Sequence, residues 1–456
     1  MRNLRLKGFA TRSAGFQILP NGWVQIVGMF AVLHFLVDAL CVCCLFLMAS
    51  AVSTSGLWGV FVIYNVLAFL TQPLTGMLAD RVRRHEELLA LAVALLALGV
   101  AVSPFSSHSS FLPVIVSCLL GMGNSLFHVV GGKQVAVASD NDIRALGVFV
   151  STGAFGLAVG MVFHSWILLF GLLIGVAAGA MVIGLPTDAQ TQLQQRRNER
   201  GVQQGKAARA FSPHFVWMAV LILMGLVMLR SMVGETFTGF LRQGTGLLLV
   251  GAVAMLGKAA GGWLARWMGI VWSLLMMVAA VTVVMWAAAD RVPLLGLFLV
   301  NLTMPVTLYL INVVMSRREG LAFGLLAATL MPGYLLAQTG AGSDVVPGLL
   351  LTLVPTIIIE LCLLWLMYER RADVLWSSVV VNILTNVPLN LIVTHVDNSV
   401  TAIVVAEVVV VAVETLWYRY FVGRWRLALA YGFLCNAISF LIGLLIQQSL
   451  LLFGFL

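Results

Sequence analysis

The sequence predicts an all-α protein that threads a membrane repeatedly, and three observations carry the prediction. Of 456 residues, 61% are hydrophobic and 10% charged, with a mean hydropathy of +1.03, outside the range of soluble globular domains. Apolar runs of about 18 residues or more follow one another along nearly the whole chain, each long enough to cross a bilayer as a helix. These runs do not alternate apolar and polar residues as the strands of a membrane barrel do. In lipid every backbone polar group must find its partner within the protein, so helices are what remain.

Taken in order, the spans lie near 23–50, 57–79, 87–105, 111–138, 145–163 and 166–185, then near 214–234, 245–265, 269–289, 293–315, 320–340 and 345–367. Three more follow near 374–394, 399–418 and 427–453. The stretch before the first span, "MRNLRLKGFATRSAGFQILPNG", is basic and polar, and the run after it is too long for a cleavable signal peptide, so none is expected. Every second junction is basic: "DRVRRHEE", "SDNDIRA", "QQRRNERGVQQGKAAR", "ARW", "SRREG", "YERRAD" and "RYFVGRWR". The intervening ones, such as "SAVSTSG", "SPFSSHSS" and "HVDNS", carry almost no positive charge. This alternation predicts a cytoplasmic N-terminus and an extracytoplasmic C-terminus in a bacterial inner membrane. It also accounts for the net charge of +8 without any nucleic-acid partner.

Residues 186–213, "PTDAQTQLQQRRNERGVQQGKAARAFSP", form the one long polar linker. It separates a six-helix half, 1–185, from a second, 214–368, and leaves 369–456 as an appended three-helix bundle. Six spans, a basic linker and six more resemble the layout of the major facilitator superfamily, whose two halves enclose a central site. A weak internal repeat supports the resemblance. "GMLADRVRR" (76–84) follows span two and "GGWLARWMG" (261–269) follows span eight, the equivalent place in the second half. The superfamily's signature for this loop is roughly G-x-L-A-D-R-x-G-R. The first copy keeps Gly76, Leu78, Ala79, Asp80, Arg81 and Arg84; the second keeps Gly262, Leu264, Ala265 and Gly269, with Arg266 in place of the aspartate. Gly76 is expected to let a neighbouring helix approach. Asp80 is expected to bond backbone donors of an adjacent helix, or to pair with Arg81 or Arg84, as part of a cytoplasmic gate. The plainer alternative is a topological anchor.

A charge in hydrocarbon costs about 2.5–3.5 kcal/mol on insertion scales, so intramembrane ionisable residues tend to face a protein interior or a wet cavity. His34 and Asp38, in "HFLVD" of span one, are four apart and share a helical face. Such a pair can hold and release a proton near neutral pH. His128 ends "GMGNSLFH" in span four and is a third cavity candidate, or else a neutral core histidine bonded to a neighbouring helix. Arg230 in "VMLRSMVGETF" lies about as deep in span seven as Asp38 does in span one, so the two are expected to face each other across the cavity. The alternative for Arg230 is to snorkel outward. Lys133 and Lys258, nearer the basic ends, are read as snorkelling lysines that mark the membrane surface. Glu235 and Glu360 are minor candidates.

These elements resemble the fosmidomycin-resistance branch of facilitator drug exporters. That branch carries His-Phe-x-x-Asp in span one, Gly-x-Gly-x-x-x-Phe-His-Pro in span four and an arginine in span seven. The resemblance covers roughly 23–367 and implies proton-driven export of a small organic compound or antibiotic. It departs at Val129, which stands where the branch has proline. "STGAFGLAVGM" keeps Gly153, Gly156 and Gly160 but lacks the proline of the antiporter motif, which leaves the direction of transport open.

In the appended bundle Asn382, Asn386 and Asn390 form one stripe, with Pro388 interrupting the helix. Glu407 and Glu414 share a face of the next span, and Asn436 and Ser439 lie in the last. Interhelical hydrogen bonding is the expected role, and a second proton or ion path the alternative. Six cysteines fall within apolar runs without metal-site spacing, and neither a metal nor another cofactor is expected. There is no P-loop, H-E-x-x-H or G-x-S-x-G, which argues against an ATP-driven pump and against an enzyme. The expected partners are a small-molecule substrate, protons and the lipid bilayer. An importer on the same fold stays open, as does a non-transporting sensor or scaffold that uses 369–456 to bind a partner.

Overall fold

The computed structural model describes residues 21–49, 54–82, 84–109, 111–184, 213–238, 246–270, 292–338 and 400–452, with short pieces between 273 and 385. The first 20 residues, nearly all of the 186–213 linker, Asn386, Pro388 and Asn390 lie outside the described residues. Among the described residues all regular structure is helical, and nine helices are long and apolar enough to cross a membrane. The helices are α1 (Asn21–Ala49), α2 (Thr54–Asn65), α3 (Gln72–Arg81), α4 (His85–Val102), α5 (Leu112–Ala138), α6 (Ile143–Val162) and α7 (Trp166–Gly184). They continue with α8 (Pro213–Thr238), α9 (Gly246–Met268), α10 (Pro293–Asn301), α11 (Thr303–Val314), α12 (Glu319–Ala328), α13 (Leu330–Gln338), α14 (Val400–Val422) and α15 (Trp425–Leu452).

Span two is interrupted. A π turn over Val66–Leu70 separates α2 from α3, which carries Pro73 in its first turn. Proline lacks an N–H and its ring crowds the carbonyl four residues back, so the regular ladder cannot run through it. Polar side chains take up backbone groups around the break: Asn65 Nδ2 donates to Phe61 O at 2.8 Å and Gln72 Nε2 to Ala68 O at 2.8 Å. Thr71 Oγ1 donates across to Ser125 Oγ of α5 at 2.8 Å.

By packing, the chain divides into two compact units. The first comprises Met1–Ala207, Leu241–Met277 and Asn301–Ala328, so it draws together residues from both sides of the linker. In it α1 lies against α5, α6 and α7, and α6 also carries α9. The α1–α6 seam is backbone on backbone: a Cβ on Gly156 would strike the Phe35 carbonyl, and one on Gly160 the Ala39 carbonyl. Small residues at this spacing are how lipid-embedded helices gain close packing, since the hydrophobic effect does not drive them together there. Thr152 Oγ1 adds a bond to Ala31 O at 2.7 Å. α5 is buried along most of its length, which suits its low side-chain bulk in "GMGNSLFHVVGGK".

The second unit comprises Ala208–Phe240, Val278–Val300 and Thr329–Leu456. Here α8 packs on α13, where Ser231 Oγ donates to Leu330 O at 2.8 Å. α14 and α15 form a hairpin joined at Gly423, whose φ of +75° favours glycine. Leu364, Val374 and Val381 share one buried cluster with Tyr418, Ala428, Tyr431 and Cys435. The five described cysteines are free.

Candidate functional site

The centre of the first unit holds the polar residues that the sequence singles out on spans one and four. His34 and Asp38 sit one turn apart on α1, with His34 Nε2 3.3 Å from Asp38 Oδ2. His128, on α5, brings its Nε2 to 3.5 Å from Asp38 Oδ1. The two imidazoles meet edge to face, 4.5 Å between centroids at 88°. His34 and Asp38 are buried, at 5% and 6% exposure.

Each ring is fixed from behind. His34 Nδ1 lies 2.7 Å from the Phe149 carbonyl of α6, and His128 Nδ1 lies 2.9 Å from the Asn124 carbonyl one turn earlier on α5. A carbonyl oxygen only accepts, so both Nδ1 atoms must carry the hydrogen. In their neutral forms both Nε2 atoms therefore present lone pairs to the carboxylate, and only a positive charge makes those contacts attractive. A proton on either Nε2 supplies it. The two Nε2 atoms and a carboxylate oxygen all lie within 4.8 Å of one another, close enough for a single small cation to touch all three.

Two further residues complete the centre: Asn124, which the sequence did not single out, and Gly153, which it marked only as a glycine of span five. Asn124 Nδ2 donates to Asp38 Oδ1 at 3.1 Å and approaches Cys41 Sγ at 3.7 Å. Its spacing of four from His128 was the available signal, because residues four apart share a face. Gly153 of α6 closes the other side: a Cβ there would strike Asp38 Oδ2 and His34 Nε2. Phe127 and Phe149 flank the His34 ring, with centroids 6.2 and 4.7 Å away.

A second constellation stands at the basic ends of the spans. Asp80, at the end of α3, accepts from the backbone N–H of Gly320 at 3.0 Å and of Leu321 at 2.9 Å, in the first turn of α12. An anion at a helix N-terminus meets unsatisfied N–H groups and the positive end of the helix dipole. The contact needs glycine on both helices: a Cβ on Gly76 would strike the Gly320 carbonyl, and one on Gly320 would come 2.7 Å from the Gly76 carbonyl. The cation beside Asp80 is Lys133, with Nζ 3.0 Å from Oδ1 and a second bond to Ala79 O at 2.8 Å. One expectation is corrected here: Lys133 does not snorkel; it is 8% exposed and neutralises a carboxylate. Of the two alternatives for Asp80, the backbone donors of an adjacent helix are the ones it meets, while Arg84 pairs with Glu87 at 3.2 Å on the surface and Arg81 is exposed.

The second copy of the loop makes a related contact with different charges. Gly262 of α9 packs on the first turn of α6, where a Cβ would come 2.6 Å from the Ile143 carbonyl. That turn carries its own carboxylate, Asp142, which caps α6 by accepting from Arg144 N at 2.9 Å and pairs with Arg144 Nη2 at 2.7 Å. Burial opposes the charge on Asp142, yet the bonds from Arg144 outweigh it and hold the carboxyl below its ordinary range. A carboxylate already in place explains how Arg266 can stand where the first copy has Asp80.

The remaining candidates fall in the second unit. Arg230 is buried on α8 at 8% exposure. In the appended segment Asn382 Nδ2 donates to Glu360 Oε2 and Asn436 Nδ2 to Glu414 Oε2, while Thr385 Oγ1 donates to Glu414 Oε1 at 2.9 Å. Glu407 is half-buried on α14.

Loop glycines at matched places in two halves of the sequence, with a titratable centre between spans one and four, point to one architecture, and a family comparison decides it. The sequence model of the Major Facilitator Superfamily matches residues 24–338. The chain belongs to the major facilitator superfamily. It is thus a multi-pass membrane protein with a transporter fold. Among solved structures, the fucose:proton symporter of E. coli is similar at 14% identity, over 71% of this chain and 92% of that one, with a TM-score of 0.52. The human organic anion transporter MFSD10 is similar at 17% identity, over 73% of this chain and 98% of that one, with a TM-score of 0.48. Such identities convey fold alone. No curated protein matches the chain by sequence.

Proposed function

We propose that this facilitator is a proton-coupled secondary transporter that exports a small organic compound by alternating access. The observation that carries the reading is the tethering of both imidazoles by Nδ1, which turns two Nε2 lone pairs toward one carboxylate. Such a centre changes its bonding when it gains or loses a proton. Protonated, an imidazolium Nε2–H bonds Asp38; deprotonated, the rings and the carboxylate repel, and Asp38 is left to Asn124. A ligand moves a conformational equilibrium only through a difference in affinity between the states. Here the difference is whether the helices around Gly153 stay close enough to hold the three groups together.

The Asp80–Lys133–Gly320 contact is read as the closed cytoplasmic gate, placed on that side by the positive-inside pattern. Arg230, buried on α8, is read as the group that meets an anionic part of the substrate. The resemblance of "HFLVD" and "GMGNSLFH" to drug exporters supports export. Import on the same proton centre is the second reading, favoured by the missing proline in α6. The test is growth of a bacterial host lacking its major exporters, expressing wild type or Asp38→Asn at equal membrane levels, against antibiotics and small organic acids. Protection by wild type that is lost in the variant supports export. Sensitisation by wild type indicates import, and no effect of either protein on any compound speaks against the transport reading.

A further inference from the structure

The C-terminal segment repeats itself. A shift of 54 residues carries Glu360 onto Glu414, Arg370 onto Arg424, Leu375 onto Leu429 and Asn382 onto Asn436. The same shift maps Leu364, Val374 and Val381 onto Tyr418, Ala428 and Cys435, and these six share one buried cluster. The polar contacts repeat too. In each copy a glutamate accepts from an asparagine 22 residues later, and that asparagine also donates to the carbonyl four residues before it, Ser378 O or Gly432 O. Thr385 ties the copies together by donating to Glu414. In the sequence each copy sets its glutamate before, and its asparagine after, a basic stretch, "YERRAD" or "RYFVGRWR", so the repeat begins within span twelve. The superfamily match ends at residue 338, before the repeat begins.

Two carboxyl groups thus sit in one apolar cluster, bonded by two amides and a hydroxyl, all neutral donors. Glu360, Glu414, Ser378 and Tyr418 are each 0% exposed. The bonding is incomplete on one side: Glu360 Oε1, Ser378 Oγ and Tyr418 Oη are buried without a hydrogen-bond partner. Ser378 stands beside both Glu360 and Tyr418. A buried anion without a compensating charge is costly, and a proton removes that cost most simply. Added to Glu360 Oε1, it makes a donor aimed at the neighbouring hydroxyls and relieves the repulsion between the two glutamates. Among the described residues, the other titratable groups facing this cluster are Glu407 and Tyr418 of α14 and Cys435 of α15, with Glu369, Arg371 and Tyr431 near the basic turn.

We propose that the C-terminal segment holds a proton-binding site of its own, centred on Glu360 and Glu414. The site is independent of the one at Asp38. Infrared difference spectroscopy on the full chain in nanodiscs tests it, by following the carbonyl band of buried carboxylic acid between about pH 5 and about pH 9. The expected result is a band that falls as pH rises, shrinks in Glu360→Gln and in Glu414→Gln, disappears in the double variant and persists in Asp38→Asn. Asn382→Leu and Asn436→Leu keep both carboxyls and should shift the midpoint. Three results would overturn the proposal: a band unchanged by the glutamate substitutions, a band constant with pH, or a midpoint that moves with sodium concentration.

Discussion

Replacing Asp80 by alanine should open the gate at the basic ends of the spans. The substitution removes acceptors for the Gly320 and Leu321 N–H groups and leaves the ammonium of buried Lys133 with only the Ala79 carbonyl. Each bond to a charged group contributes about 1.5–3 kcal/mol, and stripping one partner from a buried ion pair costs about 3–5 kcal/mol. The two figures describe the same three contacts, so they overlap. Taking about 3–4 kcal/mol, at about 1.4 kcal/mol per tenfold, the closed arrangement loses two to three powers of ten relative to any state in which α3 and α12 part. Spin labels on cysteines introduced at exposed Arg84 and Arg318 would read this as a second, longer distance population by pulsed electron resonance. Asp80→Ala/Lys133→Met should partly restore the closed population, because no charge is then left buried. A folded Asp80→Ala protein with an unchanged distance distribution would refute the reasoning.

Other perturbations test neighbouring parts of the account. Gly153→Ala puts a methyl against Asp38 and His34; overpacking of about 1–3 kcal/mol should abolish transport while the protein still folds, as measured by vesicle flux beside thermal unfolding. Asn124→Leu removes the amide bonded to Asp38 Oδ1 and should shift the pH optimum of transport, whereas a purely structural asparagine would change yield alone. Asp142 is held below the ordinary carboxylate range by Arg144, so its contribution to stability is complete above about pH 4 and is lost as pH falls through the lower folded value. Melting of wild type should therefore drop further on acidification than melting of Asp142→Asn, which lacks that dependence. Arg84→Ala breaks only an exposed pair with Glu87 and should move stability by less than about 1 kcal/mol.

Much of this arrangement was legible in the sequence, and what was not has physical causes. Hydropathy and the alternation of basic junctions expose the helical class and the spans, because lipid imposes both. His34, Asp38 and His128 stood out because ionisable groups deep in hydrocarbon need a partner, and helical spacing set the first two on one face. The partner of Lys133 did not stand out. A lysine near a helix end has a cheap route to water, and only the close approach that Gly76 and Gly320 permit closes that route. Asn124, and the place of Gly153 against Asp38 and His34, were hidden for a related reason: amides and glycines are common in packed membrane helices, and periodicity does not say which neighbour a face meets. The break before Pro73 did not stand out, since the apolar run of span two continues across it. The second copy of the loop, with its carboxylate moved from span eight to Asp142, needed coordinates, since the compensation crosses between helices far apart in sequence.

The central claim is that His34 and His128 bind a proton through Nε2 with Nδ1 held by backbone. Nitrogen-15 magnetic resonance of histidine-labelled protein in nanodiscs addresses it directly, with His34→Gln and His128→Gln assigning the two signals among seven histidines. The account predicts Nδ1–H on both rings throughout, an Nε2 that gains a proton on acidification, and a changed titration in Asp38→Asn. Neutral rings carrying the hydrogen on Nε2, unaffected by pH or by Asp38→Asn, would contradict it.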